Sequence, residues 1–123
     1  MSEHVQQVAL IKWFRATYKQ YEKLLFSIPN GGLRDPITAI RMKEEGLLAG
    51  VPDLMLAIPK NNTHGLFIEM KGKSGRLSQK QTEMINRLNE QHYKCIVVKS
   101  YDEAKQAITN YITEAKDNAD YAR

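Results

Sequence analysis

Apolar residues near the start of the chain recur three and four positions apart, the period of a helix half buried against a core. Val5, Val8, Ala9, Ile11, Trp13 and Phe14 supply the apolar content of a helix expected from about Glu3 to Tyr21, with Ser2 placed to cap it. Glu3, Gln7, Leu10 and Phe14 fall on one stripe of that helix, so its polar head leads into a core-facing side. Leu24 to Ile28 reads as a short strand stopped by Pro29-Asn30-Gly31-Gly32, a strong turn signal. Asp35-Pro36 has the form of a helix start, a cap followed by proline at the first helical position. That helix carries Ile37, Ile40 and Met42 and is expected to stop near Gly46.

The pattern then changes period. Gly50 to Pro59 and Leu66 to Lys71 read as two short strands joined by Lys60 to Gly65, a loop rich in Asn and Gly. Ser78-Gln79-Lys80-Gln81 is a capping box opening a helix through Met84, Ile85 and Leu88. Lys94 to Val98 is the clearest buried strand, and the helix crossover leading to it suits parallel pairing. Ser100-Tyr101-Asp102-Glu103 is a second capping box, opening a helix through Ala104, Ala107, Ile108, Tyr111 and Ile112, after which Asp117 to Arg123 is expected to fray. The order of elements predicts an α/β domain, a mixed sheet flanked by helices, over the whole chain with a core from about residue 3 to 113.

Composition narrows the function classes. A chain of 123 residues is long enough to bury a core without staples, and a net charge of +4 is compatible with a polyanionic partner. A single cysteine, Cys95, excludes an internal disulfide and a Cys-rich zinc module and is expected to sit inert in a strand. No apolar run reaches membrane-spanning length and no signal-peptide pattern opens the chain, so a cytoplasmic, reducing compartment and no membrane partner are expected. His4, His64 and His92 lack zinc-ligand spacing and are expected to form no site. There is no Gly-rich P-loop, Gly-x-Ser-x-Gly elbow or dinucleotide fingerprint.

The chemistry concentrates on the hairpin. Side chains alternate along a strand, so Glu69 and Lys71 point the same way. Asp53 joins them if it pairs opposite Glu69 or opposite Lys71, and a slip of one residue sends it to the other face. Either register turns within Asn61-Asn62. Two carboxylates are hard oxygen ligands for Mg²⁺ or Mn²⁺, which keep several waters and accept phosphate oxygens. A nearby lysine can orient a water or offset developing charge, and together these are the requirements of phosphodiester hydrolysis. Glu-x-Lys alone is more often a solvated strand face; Pro52-Asp53 at hairpin distance and strongly apolar neighbours reverse that reading. Glu3 either reaches such a site from the first helical turn or only complements the helix dipole. Arg34 is a candidate phosphate contact, as is the flexible basic loop Gly72-Lys73-Ser74-Gly75-Arg76 beside the patch. Gln81 has a structural job in its capping box.

These residues resemble the PD-(D/E)xK nuclease superfamily and, within it, the VRR-NUC family of virus-type replication and repair nucleases. The carrying motifs are Pro29-Asn30-Gly31-Gly32 with Arg34, Gly50-Val51-Pro52-Asp53-Leu54, Ile68-Glu69-Met70-Lys71, and Leu77-Ser78 with Gln81. Glu3 and Gln7, ahead of Val8-Ala9-Leu10 and Trp13, look like the family's N-terminal helix, so the match runs from Glu3 to about Ile112. The resemblance implies a restriction-endonuclease-like core and a metal-dependent DNA endonuclease of the stand-alone phage or bacterial type. It implies that Asp53 and Glu69 hold Mg²⁺ or Mn²⁺, that Lys71 positions the nucleophilic water or stabilises the phosphorane-like charge, that Glu3 completes the metal shell directly or through water, and that Gln81 shapes the site. A shift of helix register would put His4 or Gln7 in place of Glu3. Asn30, Arg34, Lys73 and Arg76 are expected to contact the nucleic acid. A homodimer acting in DNA repair on branched, flap or Holliday-junction DNA is the implied assembly. A DNA-structure-binding module on the same fold, without turnover, is the alternative.

Overall fold

The computed structural model describes residues 2–29 and 35–113. The chain begins with α1, Glu3–Thr17, whose free N-terminal N–H of Val5 is taken by the Ser2 hydroxyl at 3.1 Å. The helix stops short of the expected Tyr21. Tyr18 leaves helical backbone angles, its ring packs 5.8 Å from Trp13 and 5.4 Å from Phe14, and a 3-10 turn, Lys19–Leu24, follows. Then come β1, Leu25–Ser27, and α2, Pro36–Glu44, with Asp35 capping through Thr38 as the Asp-Pro signal requires. The remaining elements are β2, Leu54–Leu56; β3, Leu66–Met70; α3, Gln79–Glu90; β4, Lys94–Val98; and α4, Tyr101–Thr113. The expected fraying of residues 117–123 and all but Pro29 of the expected Pro29-Asn30-Gly31-Gly32 turn lie outside the described residues.

The four strands form one mixed sheet in the order β1-β2-β3-β4. β1, β2 and β3 are antiparallel, and β4 joins β3 in parallel after the α3 crossover. The β2–β3 turn is tight. Lys60 and Thr63 bridge across it, and Asn61 and Asn62 both take positive φ (51° and 63°), the pair of left-handed residues that a turn matching strand twist demands. That turn fixes the register at Leu54↔Ile68 and Leu56↔Leu66, which continued by one residue sets Asp53 opposite Glu69.

One face of the sheet makes the core. Leu54 and Leu56, Leu66, Ile68 and Met70, and Val98 pack with Leu10 and Phe14 of α1 and Ala104, Ile108 and Tyr111 of α4. Tyr111 is buried and its hydroxyl donates to the Ile58 carbonyl at 2.7 Å, satisfying the one polar atom the ring carries inside. The other face carries Asp53, Met55, Phe67, Glu69 and Cys95, with α3 lying against β4. Met84, Ile85 and Leu88 of α3 are half-buried there. Cys95 sits in β4 and burial pushes its thiol up to about 11, which leaves it a poor nucleophile.

Candidate active site

Asp53 stands where β2 begins, and the fold holds it from both sides. Its carbonyl accepts from Ile28 N–H at 2.8 Å, and its carboxylate Oδ2 accepts from Met70 N–H at 2.8 Å. The side chain thus takes over the ladder bond of β3 just where the β2 backbone turns away, which aims the carboxylate along the end of the sheet. Glu69, one strand over, is almost fully buried, 3% exposed. Its Oε2 accepts from Gln81 Nε2 at 3.2 Å and faces Lys71 Nζ at 3.8 Å, while its Oε1 has no hydrogen-bond partner among the described residues. A buried carboxylate oxygen without a donor is costly unless a further group meets it.

The electrostatics say the same. Burial and then the Asp53 charge push the Glu69 carboxyl up to about 7, against the pull of the Lys71 ammonium. Asp53 is also raised, chiefly by burial, with the Glu3 charge adding to it and the Met70 N–H and Lys71 opposing. Three carboxylates therefore feel one another at one end of the sheet. Glu3 arrives from α1: its Oε2 accepts from Gly72 N–H at 3.0 Å, tying the first helical turn to the residue after Lys71. The stripe places Gln7 half-buried on α1, and among the described residues it makes no hydrogen bond to the carboxylates. His4 lies on the outward groove of α1 with Val8, Ile11 and Arg15.

Gln81 combines both readings that the sequence left open. Its Oε1 accepts from Ser78 N–H at 2.9 Å and its N–H donates to Ser78 Oγ, closing the capping box, while its Nε2 is left to donate to Glu69. Gly50 makes this possible. With φ +96°, it lies so close to the start of α3 that a Cβ would meet the Lys80 carbonyl oxygen at 2.8 Å. The loop leading to Asp53 and the helix carrying Gln81 are thereby locked together, a role that sequence reasoning missed because nothing local marks which glycine has a backbone against it.

The basic loop at residues 72–76 is a turn closed by Gly75 N–H on the Gly72 carbonyl, with Lys99 Nζ donating to the Gly75 carbonyl. Lys73 and Arg76 are exposed on it. Lys99 was not a sequence candidate; its position at the end of β4, level with Lys71, is visible only once the parallel register is known. Asn30 and Arg34 lie outside the described residues. His64 and His92 meet edge to face at 6.1 Å beside Tyr93, at the opposite end of β3 from Glu69.

Among the described residues no group of three or more His, Cys, Asp or Glu side chains is gathered tightly enough to be a ready metal cage. Hard divalent cations that keep most of their waters need fewer protein ligands than that. Asp53 Oδ1 and the unpartnered Glu69 Oε1 are the oxygens available, and a cation between them would relieve the repulsion that raises both carboxyls. The donor set fits a hydrated Mg²⁺ or Mn²⁺.

A mixed sheet flanked by helices, with an acidic pair and a lysine at the end of its central hairpin, is a PD-(D/E)xK-type fold. The sequence model of the VRR-NUC domain matches residues 2–102. A solved structure titled "VRR_NUC domain protein" superposes with a TM-score of 0.79 at 26% identity, covering 91% of this chain and 88% of that one. Among curated proteins none matches the chain. The chain belongs to the VRR-NUC domain family, whose members are nuclease-type DNA-processing domains.

Proposed function

We propose that the protein is a Mg²⁺- or Mn²⁺-dependent endonuclease that hydrolyses DNA phosphodiester bonds. The observation that carries this reading is Glu69 Oε1: buried, without a donor among the described residues, on the same side of the hairpin as Asp53, its sister oxygen 3.8 Å from Lys71. Asp53 and Glu69 would hold the cation, with Glu3 at the rim through its contact with Gly72. Bound there, a divalent cation supplies polarisation of a phosphoryl oxygen and a water of lowered pKa. Lys71 holds a proton-rich ammonium at the mouth of the site, where it orients the attacking water or offsets charge on the phosphoryl oxygens. Gln81 keeps Glu69 from rotating out of the site. Lys73 and Arg76, with Asn30 and Arg34 from the stretch that follows β1 in the sequence, would take flanking phosphates.

Branched, flap or four-way DNA is the substrate class in this reading, and a two-fold homodimer would supply paired cuts on symmetric strands. The test is plasmid and a panel of labelled duplex, flap, splayed and four-way substrates, incubated with Mg²⁺, Mn²⁺ or EDTA. Metal-dependent cleavage by the wild type, lost in Asp53→Ala and Glu69→Ala with DNA binding kept, is the expected result. Retained cleavage in either variant removes that residue from the site. Tight, metal-independent binding with no nicking would favour the non-catalytic DNA-binding module instead.

A further inference from the structure

The sheet face that holds the carboxylates continues past them. In the row of Asp53 and Glu69, β1 contributes Ile28, whose N–H bonds the Asp53 carbonyl. The next row on the same face is Phe26, Met55, Phe67 and Cys95. It runs from covered to open. Phe67 is 8% exposed with Tyr93 packed on it at 5.4 Å, whereas Phe26, on the edge strand, is 43% exposed. Met55 turns its methyl toward Gly65, away from β1. The Phe26 side chain is therefore the exposed end of that row, in line with the acidic pair. Strand rise and spacing put the Phe26 and Asp53 backbones about 8 Å apart.

We propose that Phe26 is a stacking platform for an unpaired base next to the phosphodiester held at Asp53 and Glu69, so that the site favours DNA with unpaired nucleotides flanking the cut. This rests on the reading that a DNA phosphate sits at those carboxylates. An aromatic ring on an open sheet face takes a base by its π-face whatever the base is, and it cannot do so while the base is stacked in a duplex. Continuity of the ring with the carboxylate row singles out a base as the occupant: a strand whose phosphate reaches Glu69 brings its neighbouring base over β1.

The experiment compares wild type, Phe26→Ala and Phe26→Leu on a flap oligonucleotide carrying 2-aminopurine beside the junction and on a fully paired duplex of the same length. Affinity is read in Ca²⁺ or EDTA and cleavage in Mn²⁺. Expected are 2-aminopurine quenching by the wild type, and a loss of roughly 5- to 150-fold in flap affinity for both variants, the worth of one base–aromatic stack. Duplex affinity should hold within about twofold of wild type, the additivity error for a distant site. Phe26→Leu keeps the apolar bulk on β1 and decides the matter if Phe26→Ala fails to fold. Equal losses on flap and duplex, or none on either, overturn the proposal. So does a change of oligomeric state in sedimentation without a change in flap preference, which would make the ring a protein contact. Wild type that binds DNA but never cleaves it would overturn the nuclease reading, and the quenching would still decide the role of Phe26.

Discussion

Replacing Glu69 by glutamine separates the cost of the buried charge from its use. Burial and the Asp53 carboxylate raise Glu69 from an ordinary 4.5 to about 7, so between those values the folded protein holds a proton that the unfolded chain releases. Stability therefore falls as pH rises from about 4.5 to about 7 and levels off above. The full interval corresponds to about 3 kcal/mol, and because Asp53 is raised alongside Glu69 and shares the strain, about 1–2 kcal/mol falls to Glu69 alone. Glu69→Gln removes the charge and keeps the shape: the amide oxygen still accepts from Gln81, and the amide nitrogen gives Asp53 a donor. In EDTA at pH 8 the variant should melt about 4–8 °C above wild type, a gap that closes at pH 5, where wild-type Glu69 is already protonated. Adding Mn²⁺ should raise the wild-type melting temperature, because the folded state alone binds it, and leave the variant unmoved. The assay is thermal unfolding by circular dichroism from pH 5 to 8, with EDTA or Mn²⁺. A variant less stable than wild type in EDTA at pH 8, or an equal Mn²⁺ shift in both proteins, would refute the reasoning.

Other perturbations read separate parts of the same arrangement. Gly50→Ala combines a left-handed backbone with a 2.8 Å clash on the Lys80 carbonyl, so it should lose about 2–4 kcal/mol in urea unfolding. A loss under about 1 kcal/mol would mean that the loop and α3 are not locked. Lys71→Ala should lower kcat by about 100-fold or more while the Mn²⁺ concentration for half-maximal activity changes little; a reversed pattern would make Lys71 a metal-site residue. Tyr111→Phe leaves the Ile58 carbonyl without its buried donor and should cost about 1–2 kcal/mol by the same unfolding assay, with cleavage unchanged.

Local signals carried much of the architecture. Ser2, Asp35 and Ser78 each cap the helix they were expected to cap, because a side-chain oxygen meeting an exposed N–H three residues on is a matter of neighbours in the chain. Asn61-Asn62 made the hairpin turn for the same reason: two residues tolerant of positive φ sit between apolar runs. Ser100 likewise accepts from Glu103 N–H, although the Glu103 carboxylate reaches back to Lys99 N–H, one residue earlier than a capping box would place it. The end of α1 was misjudged by four residues, since it depends on where the Tyr18 ring finds Trp13 and Phe14.

The sequence by itself determined the carboxylates and lysine of the central hairpin and narrowed their pairing to two even registers, since strand alternation and turn residues are properties of a short stretch. Only the tertiary structure chose between those registers, brought Glu3 to Gly72 across 69 positions, and gave Gln81 a second partner in Glu69. It alone left one oxygen of Glu69 buried without a donor among the described residues. Burial and long-range proximity depend on how helices pack on the sheet, and that packing is set by many apolar contacts at once rather than by any motif.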